Sequence, residues 1–451
     1  MFKKIEIWIL YLTIVFVFIS YIIFGSMVLR EHRNGPNIPI ISPISKGAYF
    51  LAQLPINLKK MFNPKVYDPG KAREDRFEGQ YGFNGEPNIS EQYLLLGRFD
   101  GDLKTSVVEL VNLKSFDVLH VWKPDINSIL ENVEINENGK WEFLFRDKKK
   151  DRFRMIHPIL HGDGSLIFAD GSPLIQIDRN SNLEQIVHDE KYHHSIEKDE
   201  EGNFWTCVTY YPFKTDSLYV GNAKYDEFQD DGIRKISPNA EILFDKSISE
   251  IFIENGMKYL LFSIGDRQFT KDPIHLNDIQ PVKKDTKYWK KGDLFLSLKH
   301  QSMVLLYRPI TNKIIWKSTG KFFHQHDVDI LDDSRISIFN NNSIETYSGN
   351  IVDGSNNVII YDFKTDKYSY YLEKSMEKEN IRTLTQGRSQ ILPNGDLFIE
   401  ETNYGRTMYF NANGSLRWSH INRAVNGRLY ISNWSRILYE EEDLKIARQF
   451  K

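Results

Sequence analysis

Residues 302–316 read SMVLLYRPITNKIIW: an apolar run, a polar turn of Pro, Thr and Asn, then a second apolar run that closes on tryptophan. The same plan recurs in VELVNLKSFDVLHVW, ending at Trp122, and in MYFNANGSLRW, ending at Trp418. Short runs rich in Val, Ile, Leu and aromatics, separated by Asn, Asp, Gly and Thr, are the pattern of β-strands joined by tight turns. Partial copies fill the intervals: GDGSLIF from Gly162, SPLIQIDRNSNLEQIV from Ser172, GIRKISPNAEILF from Gly232 and NNVIIYDFKTDKYSYY from Asn356. The tryptophans are 194 and 102 residues apart, which fits four and two units of about 50 residues. Successive antiparallel units of that size predict an all-β, six-bladed β-propeller, whose radial closure leaves only short edges; a β-sandwich is the weaker alternative.

Outside this repeat the chain changes character. Residues 7–29 are 23 uncharged, mostly apolar residues, long enough to cross a hydrocarbon core of about 30 Å. A cleaved signal would have an apolar segment of only about 7–15 residues before a small-residue cleavage site, so this stretch reads as a retained anchor within residues 1–33. Lys3 and Lys4 on one side are matched by Arg30 and Arg33 on the other, so charge bias sets no orientation. Residues 34–90 carry seven prolines and little periodicity and read as a tether. The propeller is expected over residues 91–434 and a helical tail over residues 435–451.

Composition narrows function. The 451 residues carry 58 Lys and Arg against 61 Asp and Glu, a net charge of −3, which excludes nucleic-acid binding driven by net charge. The single cysteine, Cys207, excludes an intramolecular disulfide and a CxxC site and reads as a small buried hydrophobe. Phosphate-binding Gly loops and GxSxG elbows are absent, and no cofactor is implied. The sequence does not fix the oligomeric state.

Chemistry gathers instead where strands open. HHSIEKDEEGNFW begins at His193, HLNDIQPV at His275, HQHDVDILDDSRISIF at His324, and GRSQILPNGDLFIEE at Gly387. In a regular strand residues i and i+2 share a face, so His275 is expected beside Asn277 and His324 beside His326, with His193 and His194 opposed. A metal bound by His324, His326 and Asp327 is disfavoured because Asp327 would face away from both histidines, and a metal-dependent hydrolase built on this pair is the weakest of the readings.

These segments, with GDLFLSLKHQSMVLLYRPITNKIIW and NGSLRW, resemble the PAPS-independent aryl sulfate sulfotransferases, the arylsulfotransferase family. The resemblance covers about residues 192–420. It implies a six-bladed propeller that moves a sulfuryl group from an aryl sulfate to a phenol through a sulfohistidine. It places the nucleophile on His326, the histidine-x-asparagine pair on His275 and Asn277, and a supporting histidine on His194. His324 is a further substrate-binding candidate. Where the family has arginine this chain has Lys299 in SLKHQS, so that Arg388 or Arg406 is left to supply the fork that lysine lacks. That departure also supports the other reading, a non-catalytic propeller binding a sulfated or anionic ligand or a protein partner. The family works outside the cytoplasm, which implies a single-pass membrane protein with its propeller on the periplasmic side.

Overall fold

In the strands of the repeat both faces are apolar, and the computed structural model shows what each face is packed against. It describes residues 6–32, 38–62, 70–131, 133, 153–171, 173–263 and 269–450. Among them, six antiparallel sheets follow one another as blades. Tyr93 and Leu95 turn toward the second blade, whereas Leu94 and Leu96 on the same strand turn toward the sixth. The core is accordingly a set of apolar slabs between neighbouring blades, each built by period-2 alternation on both sides. Cys207 is buried in the slab between the third and fourth blades.

Blade 1 consists of Tyr93–Asp100, Thr105–Asn112 and Asp117–Trp122, with Arg436–Leu438 from the other end of the chain as its innermost strand. Blade 2 runs Ile156–Leu160, Leu166–Ala169, Leu174–Ile177, Leu183–Val187, and blade 3 runs Lys191–Lys198, Phe204–Tyr210, Asp230–Ile236, Ile242–Ser247. Blade 4 is Leu276–Pro281, Leu294–Leu298, Met303–Arg308 and Lys313–Thr319. Blade 5 is Val328–Ile330, Arg335–Asn340, Asn357–Asp362 and Lys367–Tyr371, with a hairpin of Ser343–Thr346 and Gly349–Val352 inserted. Blade 6 is Arg388–Ile391, Leu397–Glu401, Arg406–Phe410 and Leu416–Ile421, and Gly82–Gly85 adds a fifth strand at its outer edge.

Three expectations need correction. Trp122, Trp316 and Trp418 all lie in fourth strands, of blades 1, 4 and 6, so the 194-residue interval spans three blades and not four. Insertions lengthen that interval, including the helix Ser217–Val220 and the helices Ile248–Glu254 and Tyr259–Phe262 around blade 3. The segment read as a helical tail begins with the closing strand Arg436–Leu438, and only then come Glu441–Ala447 and Arg448–Phe450. The segment read as a tether contains the helix Ile41–Phe62 and the strand Gly82–Gly85. Pro43 sits in the first turn of that helix, where a missing N–H is tolerated.

The chain divides into two compact units at residues 68 and 69. In the first, the helix Ile7–His32 is long and apolar enough to cross a membrane and buries none of its residues. Arg30 Nη1 reaches the hydroxyls of Ser42 and Ser45 at 3.4 Å, tying it to the helix Ile41–Phe62. Lys3, Lys4, Arg33 and Ser172 lie outside the described residues.

Hydrogen bonds also join blade to blade. Asp278 accepts from Val328 N–H at 2.9 Å, Asp327 from Ser389 N–H at 2.9 Å, and Gln390 from Ile437 N–H at 2.9 Å. Glu400 in blade 6 takes Trp434 N–H at 2.8 Å and Ser435 N–H at 2.6 Å, which seats the closing strand. Removing residues 436–451 takes the innermost strand from blade 1 and exposes Tyr93 and Leu95. The truncated chain is expected to lose its single cooperative thermal transition by circular dichroism, and an unchanged melting curve would rule out closure by this strand.

Candidate active site

The ends of the innermost strands share one backbone feature. His157, His194, His275, His324, Gln386 and Trp434 each have a left-handed φ of between 48° and 61°, one residue for each blade. A bulky L-residue is disfavoured there, and such conformations persist only where the surroundings fix them. The left-handed residue breaks the alternation of side chains, so the i, i+2 rule fails where the sequence reading applied it. His193 and His194, expected to oppose each other, have their Nδ1 atoms 2.7 Å apart. His324, expected beside His326, instead has its ring 6.0 Å from that of His300, and only its carbonyl approaches His326.

The structure brings His194, His275 and His326 together from three successive blades. The ring of His194 lies 5.4 Å from His275 and 6.2 Å from His326. Trp434 forms a wall at 6.2 Å from His194 and 6.4 Å from His326.

His326 is 1 % exposed, and its tautomer is fixed. Asn341 Nδ2 donates to Thr383 O and to Gln386 O, so its Oδ1 is left to accept from His326 Nδ1–H at 2.7 Å. The lone pair therefore sits on Nε2, where Gln386 N–H donates to it at 2.8 Å. Burial first, and then the Lys299 ammonium, push His326 well below the ordinary histidine value, so it is neutral at pH 7. His194 is pushed down by burial and by the neighbouring histidines, and His275 by burial against the opposing pull of Asp272. Burial takes His324 down to about 4, with Lys299 the next cause. Lys299 thus faces the whole group, and burial makes its own ammonium more acidic than usual. Among the described residues the Lys299 Nζ makes no hydrogen bond or ion pair.

The remaining candidates are placed elsewhere. Asn277 occupies in blade 4 the register that His326 occupies in blade 5; its Nδ2 donates to Gln325 O at 3.1 Å and its Oδ1 is buried without a partner. Arg388 is buried beside His157, 2.7 Å from its Nε2, and 3.8 Å from Asp327 Oδ1. Arg406 is not part of the site: Glu401 holds it at 2.7 Å and Glu379 O at 2.9 Å, and it lies over the Phe77 ring. Its charge is consumed before it can serve an anion.

Sequence reasoning missed Asp272, His300, Asn341, Gln386, His157 and Trp434. The alignment of His157-Pro-Ile with His194-Ser-Ile carried a usable signal for one of them. The metal set weighed in the sequence is dispersed, because Asp327 turns to Ser389 and Arg388. Asp272, His275 and His300 offer three ligand atoms within 4.8 Å of one another. Around a tetrahedral zinc at about 2.1 Å, ligand atoms stand ~3.4 Å apart. Asp272 Oδ2 and His275 Nδ1 are 2.5 Å apart, which is a hydrogen bond with its proton between them.

The sequence pattern described as Arylsulfotransferase (ASST) matches residues 161–423, more than half of the chain. No curated protein matches it. A solved structure of a protein of unknown function from Bacteroides caccae is 10% identical and covers 78% of this chain and 100% of its own, with a TM-score of 0.46. The Pan2 WD40 domain of Neurospora crassa is 10% identical over 82% of this chain and 88% of its own, at 0.39. Hydrazine synthase of Kuenenia stuttgartiensis is 10% identical over 76% and 81%, at 0.38. Likenesses so distant carry no argument about function.

The tautomer is directly testable. Nitrogen-15 NMR of the protein is expected to show His326 as the neutral Nδ1–H form at pH 7 and still as pH falls through the ordinary histidine value. An imidazolium at His326 in that window would contradict the geometry around Asn341.

Proposed function

We propose, from the premise that the chain belongs to the arylsulfotransferase (ASST) family, that it transfers a sulfuryl group from an aryl sulfate ester to a phenol through His326. The observation that carries this reading is the convergence of three neutral histidines with one desolvated ammonium. A neutral imidazole has the lone pair that attack on sulfur requires.

In the first half-reaction His326 Nε2 bonds to sulfur, the sulfur–oxygen bond to the aryl group breaks, and the aryl oxide departs with the electron pair. Lys299 faces this position and offsets the developing negative charge. In the second, a phenol gives its proton to a base, its oxygen bonds to sulfur, and the nitrogen–sulfur bond breaks to restore His326. His275 suits the base: its Nδ1–H is committed to Asp272, which leaves Nε2 as an acceptor. Attack requires Gln386 N–H to release Nε2.

That hydrogen bond also favours a second reading, a propeller that binds a sulfated or anionic ligand without turning it over, with His326 a fully satisfied buried residue. The helix Ile7–His32 serves in either case as the membrane anchor, with the propeller on the extracytoplasmic, periplasmic side.

The deciding experiment is p-nitrophenol release from p-nitrophenyl sulfate by the full-length chain, with and without an added phenol. Phenol-dependent turnover is expected, abolished in His326→Ala and reduced by roughly 10²–10⁴ in His275→Ala, the range of a lost general base. Folded protein that turns over no aryl sulfate, while still binding one, would leave the binding propeller as the function.

A further inference from the structure

We propose that Asp272 is a positioning residue that holds His300 as a second cation beside Lys299, so that the two together clamp the sulfuryl oxygens of the donor. The identity of the anion rests on the sulfuryl-transfer reading; the clamp itself rests on geometry. Asp272 Oδ2 accepts from His275 Nδ1–H at 2.5 Å and lies 3.5 Å from His300 Nδ1, while Asp272 O lies 2.7 Å from that same Nδ1. One residue therefore fixes two rings, whose centres are 4.5 Å apart. The backbone extends the arrangement beyond the strand ends: Lys299 N–H donates to His275 O at 3.0 Å and His300 N–H to Ile274 O at 3.1 Å. Lys299 and His300 are thereby pinned to the segment that carries His275.

The charges facing His300 favour its protonated form. Asp272 does so through its carboxylate and its carbonyl, and it outweighs both burial and the opposing Lys299 ammonium, so His300 is held above the ordinary histidine value. The other neighbours are His275 and His324, both pushed below it, and Glu345, whose charge acts on Lys299 and His324. His194 and His326 are also held neutral, so His300 alone of these five histidines is pushed toward the imidazolium. With Nδ1 turned to Asp272, its Nε2–H is the donor left for a ligand. A lysine is a single point charge without the planar fork of arginine, and an imidazolium on the adjacent residue supplies the second charged donor.

The sign follows from the raised value. The imidazolium, and the affinity it contributes, are fully present below the ordinary histidine value and are lost as pH rises through the higher value in the folded protein. The test is titration of inorganic sulfate into the full-length chain from about pH 6 to about pH 8.5, together with KM for p-nitrophenyl sulfate over the same range. Sulfate affinity is expected to fall about tenfold across this range, the size of one charge-assisted hydrogen bond, with the change in KM and not in kcat. Asp272→Asn is expected to move the loss to lower pH, His300→Gln to bind weakly at every pH, and His300→Lys to bind tightly without pH dependence. Circular dichroism shows that each variant is folded.

An Asp272→Asn variant with an unchanged pH profile, or a folded His300→Gln variant that binds as the parent does, would overturn the clamp. The two readings fail separately. Sulfate binding with this pH dependence but no turnover leaves the clamp standing without the transferase. Turnover with a pH-independent KM leaves the transferase standing without the clamp.

Discussion

The left-handed residue at the head of each innermost strand is the constraint on which the site depends. An extended strand would send alternate side chains into the slabs between blades, and His194, His275 and His324 would follow the same alternation as their neighbours. The positive φ breaks that alternation at one residue in every blade, and the strand resumes it immediately afterwards. Each such conformation costs on the order of 1–2 kcal/mol for a non-glycine residue. It is offset by bonds that only this geometry allows, such as those of Glu400 to Trp434 N–H and Ser435 N–H. Six blades repeat the device, so six side chains of free chemical choice are delivered to one end of the propeller. In this chain four of the six are histidine.

Below this ring the inner strands carry charge of a different kind. Glu197, Asp278, Asp327 and Asp329 act on one another and on Arg388, whose guanidinium they hold firmly protonated. Burial raises Asp278, Asp327 and Asp329 toward their neutral forms, while hydrogen bonds from the next blade draw part of that shift back at Asp278 and Asp327, and the Arg388 charge does so at Asp329. These groups serve the joints between blades. The separation explains why Arg388, at the register of His326, cannot replace an arginine at the mouth: its charge is already committed to Asp327 and its neighbours.

Much of this was legible in the sequence, and the illegible parts have physical reasons. The third and fourth strands of the blades were visible because each pair is an apolar run, a tight polar turn and another apolar run, a purely local signal. The closing strand Arg436–Leu438 is three residues long and gains its strand character from Tyr93, Leu94 and Leu95, more than 300 positions away. The helix Ile41–Phe62 was hidden by Pro43 and Pro55, which in a linear reading argue against any helix. Among the site residues, the segments of His194, His275 and His326 stood out because histidine before a strand is an uncommon repeated choice, and the family resemblance then singled out these three. Trp434 lies next to a strand of only three residues, and Asn341 acts through partners 15 and 42 positions away, so neither carries a local signal. Arg406 was misjudged because a sequence shows a charge but not the carboxylate that already holds it.

The hydrogen bond from Gln386 to His326 Nε2 is compatible with nucleophilic chemistry for an energetic reason. A neutral hydrogen bond in a protein contributes about 0.5–1.5 kcal/mol net, which is what must be given up to free the nitrogen. Protonation removes the lone pair; a donated backbone N–H only occupies it. Burial already disfavours the protonated state, so this one hydrogen bond is what holds the lone pair. The amide that leaves Nε2 need not go unpaired, since an incoming sulfuryl oxygen is an acceptor for the same N–H. Exchange of one acceptor for another keeps the count of buried hydrogen bonds unchanged, and under the proposed sulfuryl transfer it couples release of His326 Nε2 to arrival of the group it would attack.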